Sequence, residues 1–413
     1  MESGPSTVHL LPRSGLGHDE ARGLVLRFLD GGAGSDPYPV LNRIRQAGPV
    51  WIRDDLVVLS SRAQCEAALR ATDTTSSSAS ACPVSAGRLR RAAVRALSAD
   101  AVTDLAPLVR RLVDDRLDSV AARGRLEAVS DLAHPLPMAV LSHLLGLPSS
   151  DAPWLHRRAM ALSPALDLRL ADTGTAEPAA AASFRQAETE LETYFAAAVV
   201  ERRRQADGDD LLSRAIRGDD GGERLTDAEV SSLGRFLLGT GHATTAALVS
   251  GSVLALLRAP HEIDTVRKDP GHAHHVVEET LRLDPPVQVV QRRADADLDL
   301  CGTPVPRGTV MVLLLAAAHR DPALTTSPDL FAPDGTSPHL AFGAGGHHCP
   351  GAPLARLIAG TVLVRFAQRV RGPRFALGSP SYRPAAALRG LRALWVDADG
   401  FAGRDLPWPT PAA

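Results

Sequence analysis

Ala341-Phe342-Gly343-Ala344-Gly345-Gly346-His347-His348-Cys349-Pro350-Gly351 is the stretch on which the reading of this chain turns. Four glycines surround one cysteine, directly before an amphipathic run that starts at Ala352. Such a loop exposes backbone N–H groups, and amides aimed at a sulfur favour its thiolate and tune a bound metal. Glycines also let the main chain approach a flat cofactor closely, with Phe342 placed to pack beside it. A Gly-rich turn around a buried structural cysteine would use the same residues. Zinc on His347, His348 and Cys349 is disfavoured, because three adjacent ligands cannot close a tetrahedral site without a fourth.

The other cysteines, Cys65, Cys82 and Cys301, lie far apart and form no CxxC pair, which argues against a disulfide framework and fits reduced thiols in the cytoplasm. With 413 residues, 45% apolar content and a formal charge of -2, the chain can bury a large core. It has no general electrostatic drive toward nucleic acid. Glu2, Pro5, His9 and Arg13 interrupt the apolar stretch a secretory signal needs, and no such signal is expected. The longest apolar run, Val310 to Ala318, is about half of the ~20 residues a membrane-crossing helix requires, so no membrane span is expected.

Apart from a hairpin expected at Val50 to Arg53 and Leu56 to Leu59, the first half of the chain reads as helical. Helices are expected over Arg62 to Arg70, Arg88 to about Ala122, Asp131 to Leu147 and roughly Ser183 to Ala206. Thr72 to Gly87 reads as a polar surface loop or lid, and Ser163 to Ala182 as a second irregular connection. Thr226-Asp227-Ala228-Glu229 matches a capping box and opens a helix running to Arg258, about 50 Å long and apolar enough to be central and buried. Strand-like runs follow at Val287 to Val290, Leu298 to Cys301 and Val310 to Leu315. The expected fold class is mainly α with small β-sheets, as one domain over 1–413.

The cysteine loop resembles the haem loop FGxGxHxCxG of the cytochrome P-450 family, with Phe342, Gly343, Gly345, His347, Cys349 and Gly351 at its fixed positions. Two further stretches join the resemblance. Glu279 and Arg282, about 70 residues before the cysteine, stand where that family keeps its ExxR pair; alone, such an i,i+3 pair would be read as an ordinary helix salt bridge. Gly239-Thr240-Gly241-His242-Ala243-Thr244-Thr245 places glycines and threonines where helix propensity prefers Ala or Leu, and is similar to the kinked oxygen-binding groove.

The resemblance covers nearly the whole chain. It implies the P-450 fold, a long central helix over a haem b (iron protoporphyrin IX), Cys349 as iron ligand, and Thr244, with Thr245, handling protons. It implies Arg90, Arg292 and His347 as partners of the haem propionates, and Phe342, Gly343 and Gly351 as cofactor-binding loop positions. Ferredoxin and ferredoxin reductase are the implied electron donors; an acidic ferredoxin could dock on Arg88, Arg90, Arg91 and Arg95, although a solvated helix face explains that patch equally well. The implied substrate pocket is lined by Asp73 to Ala86, residues near Leu238 and Gly239, Val287 to Val290 and Ala385 to Leu388.

Three departures matter. Ala243 replaces the acid that normally precedes the threonine, and His242 beside it titrates near neutrality but can be turned away from the groove by its helix position. Ala86 stands where a propionate-binding histidine is frequent. Leu330 stands where an Arg or His often completes the Glu279–Arg282 pair. Three functions therefore stay open: O2-dependent oxidation of a small molecule in secondary-metabolite tailoring; atypical haem-thiolate chemistry such as radical coupling, peroxide-driven oxidation or nitric oxide reduction; and a non-catalytic haem-binding scaffold.

Overall fold

The computed structural model describes residues 17–31, 34–75, 87–163, 178–204, 208–218, 224–334, 338–376, 378 and 380–405. The capping box forms as expected. Thr226 Oγ1 accepts from the Glu229 N–H, the Glu229 carboxylate accepts from the Thr226 N–H, and the helix Asp227–Arg258 follows. Its apolar residues surround the axis instead of forming a stripe, so every side needs a partner. Helices Pro135–Leu144, Ala152–Leu162, Pro178–Arg204, His272–Leu283 and Ala352–Arg369 supply them. By length and composition this helix could cross a membrane, yet 67% of its most apolar window is buried within the protein, as in a core helix.

A five-stranded sheet stands beside the helices, in the order Val50–Arg53, Leu56–Leu59, Val310–Leu314, Val289–Ala294, Thr74–Thr75. Leu56–Leu59 and Val310–Leu314 pair in parallel, with Val57 opposite Met311, and the remaining pairs are antiparallel. One large apolar core lies among the helices, and two smaller cores cover the two faces of this sheet.

Several expected boundaries move. Arg88 to Ala122 is three helices, Gly87–Ala96, Ala99–Thr103 and Ala106–Ala121, because Ser98 caps a new helix by accepting the Ala101 N–H and Pro107 restarts the third. Asp131 to Leu147 begins inside a π-helical turn, Ala128–Ala133, before Pro135–Leu144. The helix placed at Ser183 opens at Pro178, a residue well suited to a first helical position. The polar loop contributes Thr74–Thr75 to the sheet, with Thr74 opposite Ala294. Its remainder, 76–86 with Cys82, and the stretch 164–177 lie outside the described residues.

Glu279 and Arg282 form the expected buried pair. Arg282 is 2% exposed and Glu279 4%, and two parallel N–H···O contacts of 2.7 Å join them. The third member absent from the sequence is supplied by main chain. Arg282 also donates to the carbonyls of Pro328 (2.7 Å) and Leu330 (2.8 Å), and the Ala332 N–H donates to Glu279 (2.9 Å). His319, fully buried, extends this clamp: its Nδ1 lies 3.1 Å from the Arg282 carbonyl and its Nε2 accepts the Leu340 N–H at 2.7 Å. Those contacts define one neutral tautomer, Nδ1–H with a free Nε2 lone pair. Burial, with His339 and Arg62 nearby, holds the imidazole well below its usual pKa and keeps that tautomer neutral.

Removing one partner of a buried pair leaves an uncompensated charge, typically costing about 3–5 kcal/mol. We therefore expect Arg282→Ala to lower unfolding stability by that order and to prevent formation of the cysteine loop. Chemical denaturation and the yield of haem-containing protein measure both effects.

Candidate active site

The cysteine loop is held open by two left-handed glycines. Gly343 has φ +74°, and Gly345 has φ +62° with its Cα so close to the helix Arg62–Arg70 that a Cβ would lie 3.0 Å from Arg70 Cα. No larger residue fits at 345. Between them and the helix Ala352–Arg369, Cys349 donates its N–H to the Phe342 carbonyl at 2.8 Å, closing the loop. Burial pushes the Cys349 thiol up, while the amides of Gly351 and Ala352, together with Arg90 and Arg356, pull it back. A raised thiol favours the protonated form, and a metal bound there would take the proton's place and hold the sulfur as thiolate.

Cys349 opens onto a cavity of about 450 Å³ between this loop and the central helix. Thr244, Thr245, Arg90, Arg292, Phe342, Gly343, His347 and Gly351 all line it with Cys349, so the expected catalytic and cofactor-binding residues meet in one place. Thr244 donates its hydroxyl to the Thr240 carbonyl at 2.7 Å, and Thr240 does the same to Phe236 at 2.8 Å. This back-bonding leaves the oxygen lone pairs of both threonines available as acceptors. The helix continues through Gly239 and Gly241 without a break. Part of the reason for Gly239 is packing, since a Cβ there would lie 3.0 Å from a Leu162 methyl.

The three cations differ. Arg90 donates to the His348 carbonyl at 2.5 Å and so braces the loop as well as facing the cavity. His347 has its pKa lowered by burial and by Arg292 and Arg90. Arg292 is 8% exposed; it donates to the adjacent Gln291 carbonyl at 2.8 Å, and among the described residues its Nε has no partner. Burial lowers its pKa with no opposing acid. A buried guanidinium with an unpaired N–H and no carboxylate partner among the described residues is costly, and a dianionic group in the cavity would resolve it. A sulfur with amide donors, a glycine-lined approach and cations on the wall fit a planar metal cofactor bearing carboxylates.

Some expected positions fall elsewhere. Leu238 is fully buried in the helical core, and its neighbour Leu237 lines the cavity instead. Ala385 to Leu388 is not part of the wall: Ala386 and Ala387 pack into a core beside the sheet, and Leu388 bridges Val287. Arg88 makes a two-pronged contact with Glu229 at 2.6 Å and is not free to meet a partner protein. His242 is turned to the far side of the helix from the cavity that Ala243 lines.

Sequence reading missed a second brace on the loop. Glu278 takes both prongs of Arg356 at 2.7 and 2.9 Å and a contact from His339 at 3.2 Å, and the Arg356 guanidinium sits 4.6 Å from the centre of the Phe342 ring. Glu278 stands beside the ExxR glutamate, four residues before Arg282, but nothing local marks Arg356 as its partner.

Comparison with known proteins agrees with this geometry. A family model described as cytochrome P450 matches residues 176–371. The monooxygenase PikC of Streptomyces venezuelae is 33% identical over 87% of this chain and 90% of its own length. The chain belongs to the cytochrome P450 family. The ligand-free structure of Mycobacterium smegmatis CYP164A2 superposes with a TM-score of 0.84 at 37% identity, covering 91% of this P450 and all of that chain. The erythromycin C-12 hydroxylase of Saccharopolyspora erythraea is 34% identical over 65% of this chain and 66% of its own. This P450 is therefore a haem-thiolate oxidoreductase of the monooxygenase type.

Two outcomes follow from the braces and the free cation. Desolvation raises the Glu278 pKa, but His339 and Arg356 outweigh it and hold the carboxyl at about 2, against an ordinary 4.5. A depressed carboxyl contributes stability above the ordinary value and loses it as pH falls from about 4.5 through about 2. Urea unfolding at stepped pH should show that slope in the native chain and a shallower one in Glu278→Gln. Arg292→Leu should release haem to a scavenging apoprotein roughly tenfold faster, the scale of one charge-assisted hydrogen bond, with an unchanged thiolate spectrum.

Proposed function

We propose that this P450 is an O2-dependent monooxygenase that uses haem b, held through Cys349 and anchored by Arg90, Arg292 and His347. The observation that carries the reading is that Cys349 and Arg292, whose buried Nε has no partner among the described residues, face one cavity. A haem bound there supplies the oxidation itself: with two electrons and two protons, one oxygen atom of O2 enters the substrate and the other leaves as water.

The chain's part is positioning and proton handling. Ala243 carries no proton, so delivery depends on water in the cavity accepted and ordered by Thr244 and Thr240, whose hydroxyl hydrogens are tied to the helix. Thr245, buried on the same wall, narrows that space. Substrate faces a mostly apolar wall that includes Phe184, Phe236, Val287 and Val290, with Ser163, Glu188, Ser232 and Arg235 as polar groups. That lining suits a small, mainly apolar molecule carrying a few oxygens. The similarity to an erythromycin hydroxylase supports a tailoring step on a secondary metabolite. Electrons from a ferredoxin and its reductase, a cytoplasmic setting and one catalytic domain complete the proposal.

The reduced protein under carbon monoxide should show the far-red-shifted Soret band of a thiolate-ligated haem, and Cys349→Ala should lose it. Thr244→Ala should keep the band but divert reducing equivalents from product to peroxide. Turnover driven by peroxide alone, with none from reductant and O2, would replace the monooxygenase reading by the atypical one suggested by Ala243.

A further inference from the structure

Behind the cavity, on the far side of the central helix, three histidines from three separate elements converge. His134 lies between the π-helical turn Ala128–Ala133 and the helix Pro135–Leu144, His156 on Ala152–Leu162, and His242 on Asp227–Arg258. One ring nitrogen from each lies within 4.8 Å of the other two. We propose that these three imidazoles form a binding site for a divalent transition metal of the zinc class, separate from the haem.

The spacing matches that chemistry. A zinc ion 2.0–2.1 Å from each donor nitrogen lies about 3.2 Å from each ring centre, so three tetrahedral imidazoles have centres about 5.2 Å apart. The observed centres are 5.0 Å apart for His134–His156, 5.0 Å for His156–His242 and 5.5 Å for His134–His242. The His134 and His242 rings are stacked, with planes 7° apart, and since a ligating imidazole holds the metal in its own plane, one of the two rings must rotate for both to ligate.

The polar atoms are also left as a ligand set would leave them. His242 is fully buried, and among the described residues its Nδ1 and the Nδ1 of His134 have no hydrogen-bond partner. Its Nε2 lies 3.1 Å from the His134 carbonyl, the kind of outer contact that orients a ligating imidazole, and 3.2 Å from His156 Nδ1. His134 and His156 are half-buried, which leaves a path for entry.

Two cations face the cluster. Arg383 Nη2 lies 3.2 Å from His134 Nε2, and Arg157 adds positive charge near His156. No carboxylate is part of this group of donors, so the site is of the three-histidine type, with water or hydroxide as fourth ligand. The ion would pin the central helix to two neighbours directly behind Gly241 and Ala243.

The test is calorimetric titration of ZnCl2 into tag-free holoprotein, with zinc K-edge absorption of the product. One zinc per chain is expected, with imidazole nitrogens at about 2.0–2.1 Å. His156→Gln and His242→Gln should each weaken binding by at least about 100-fold, the upper end of what loss of even an orienting partner costs. His156 is half-buried, and retention of the reduced carbon monoxide band in that variant establishes that it folds. The exposed pair His274 and His275 is the control, and replacing both by Gln should leave the stoichiometric binding intact. Absence of saturable binding, or undiminished binding in His156→Gln, would overturn the site and leave a histidine hydrogen-bond cluster; neither result touches the haem assignment.

Discussion

A single buried guanidinium organises the proximal half of this protein. Arg282 satisfies its fixed fork on Glu279 and spends its remaining donors on the carbonyls of Pro328 and Leu330. The helix His272–Leu283 is thereby joined to a segment with little regular structure, which could not otherwise hold one path. His319 then carries the connection from the Arg282 carbonyl to the Leu340 amide at the threshold of the cysteine loop. The position of Cys349 is thus set by a chain of buried contacts that begins two elements away.

The second brace works from the other side of the same helix. Glu278 and Glu279 are consecutive, and successive helical residues point about a quarter-turn or more apart, so one grips Arg356 and the other Arg282. Arg356 presses on Phe342, and Phe342 accepts the Cys349 amide through its carbonyl. Against this rigidity stands Arg292, a cation buried without an acid among the described residues, as an interaction left for a carboxylate-bearing cofactor to complete would be. Rigid loop and waiting charge together describe a preorganised cofactor seat.

Much of this was legible in the residues. The glycine pattern around Cys349, the capping box at Thr226 and the Gly/Thr patch each announce a local physical demand, and all the site residues inferred from them line one cavity. What was illegible depends on distance in the chain. Arg88 reads as a free surface charge until Glu229 is brought to it, Ala385 to Leu388 reads as pocket until the sheet covers it, and Arg356 carries no sign of its role. The three-histidine cluster joins positions 134, 156 and 242, a spacing no sequence window spans. Two helix boundaries shifted for the opposite reason, since the local signals were present: periodicity ran across the cap at Ser98, and Pro178 read as a breaker where it opens a helix.

The clamp around Arg282 has a consequence for how this segment can drift over evolutionary time. It recognises carbonyl oxygens and one amide, all main-chain atoms, and it leaves the Leu330 side chain 63% exposed. Selection at Leu330 therefore acts on the route of the backbone and hardly at all on side-chain identity, whereas Phe331 beside it packs on the core and Asp329 pairs with Arg320. A residue lost from a motif is then no measure of an interaction lost. The surface at Leu330 is accordingly open ground, where polar replacements, labels or solubilising changes can accumulate without reaching the haem.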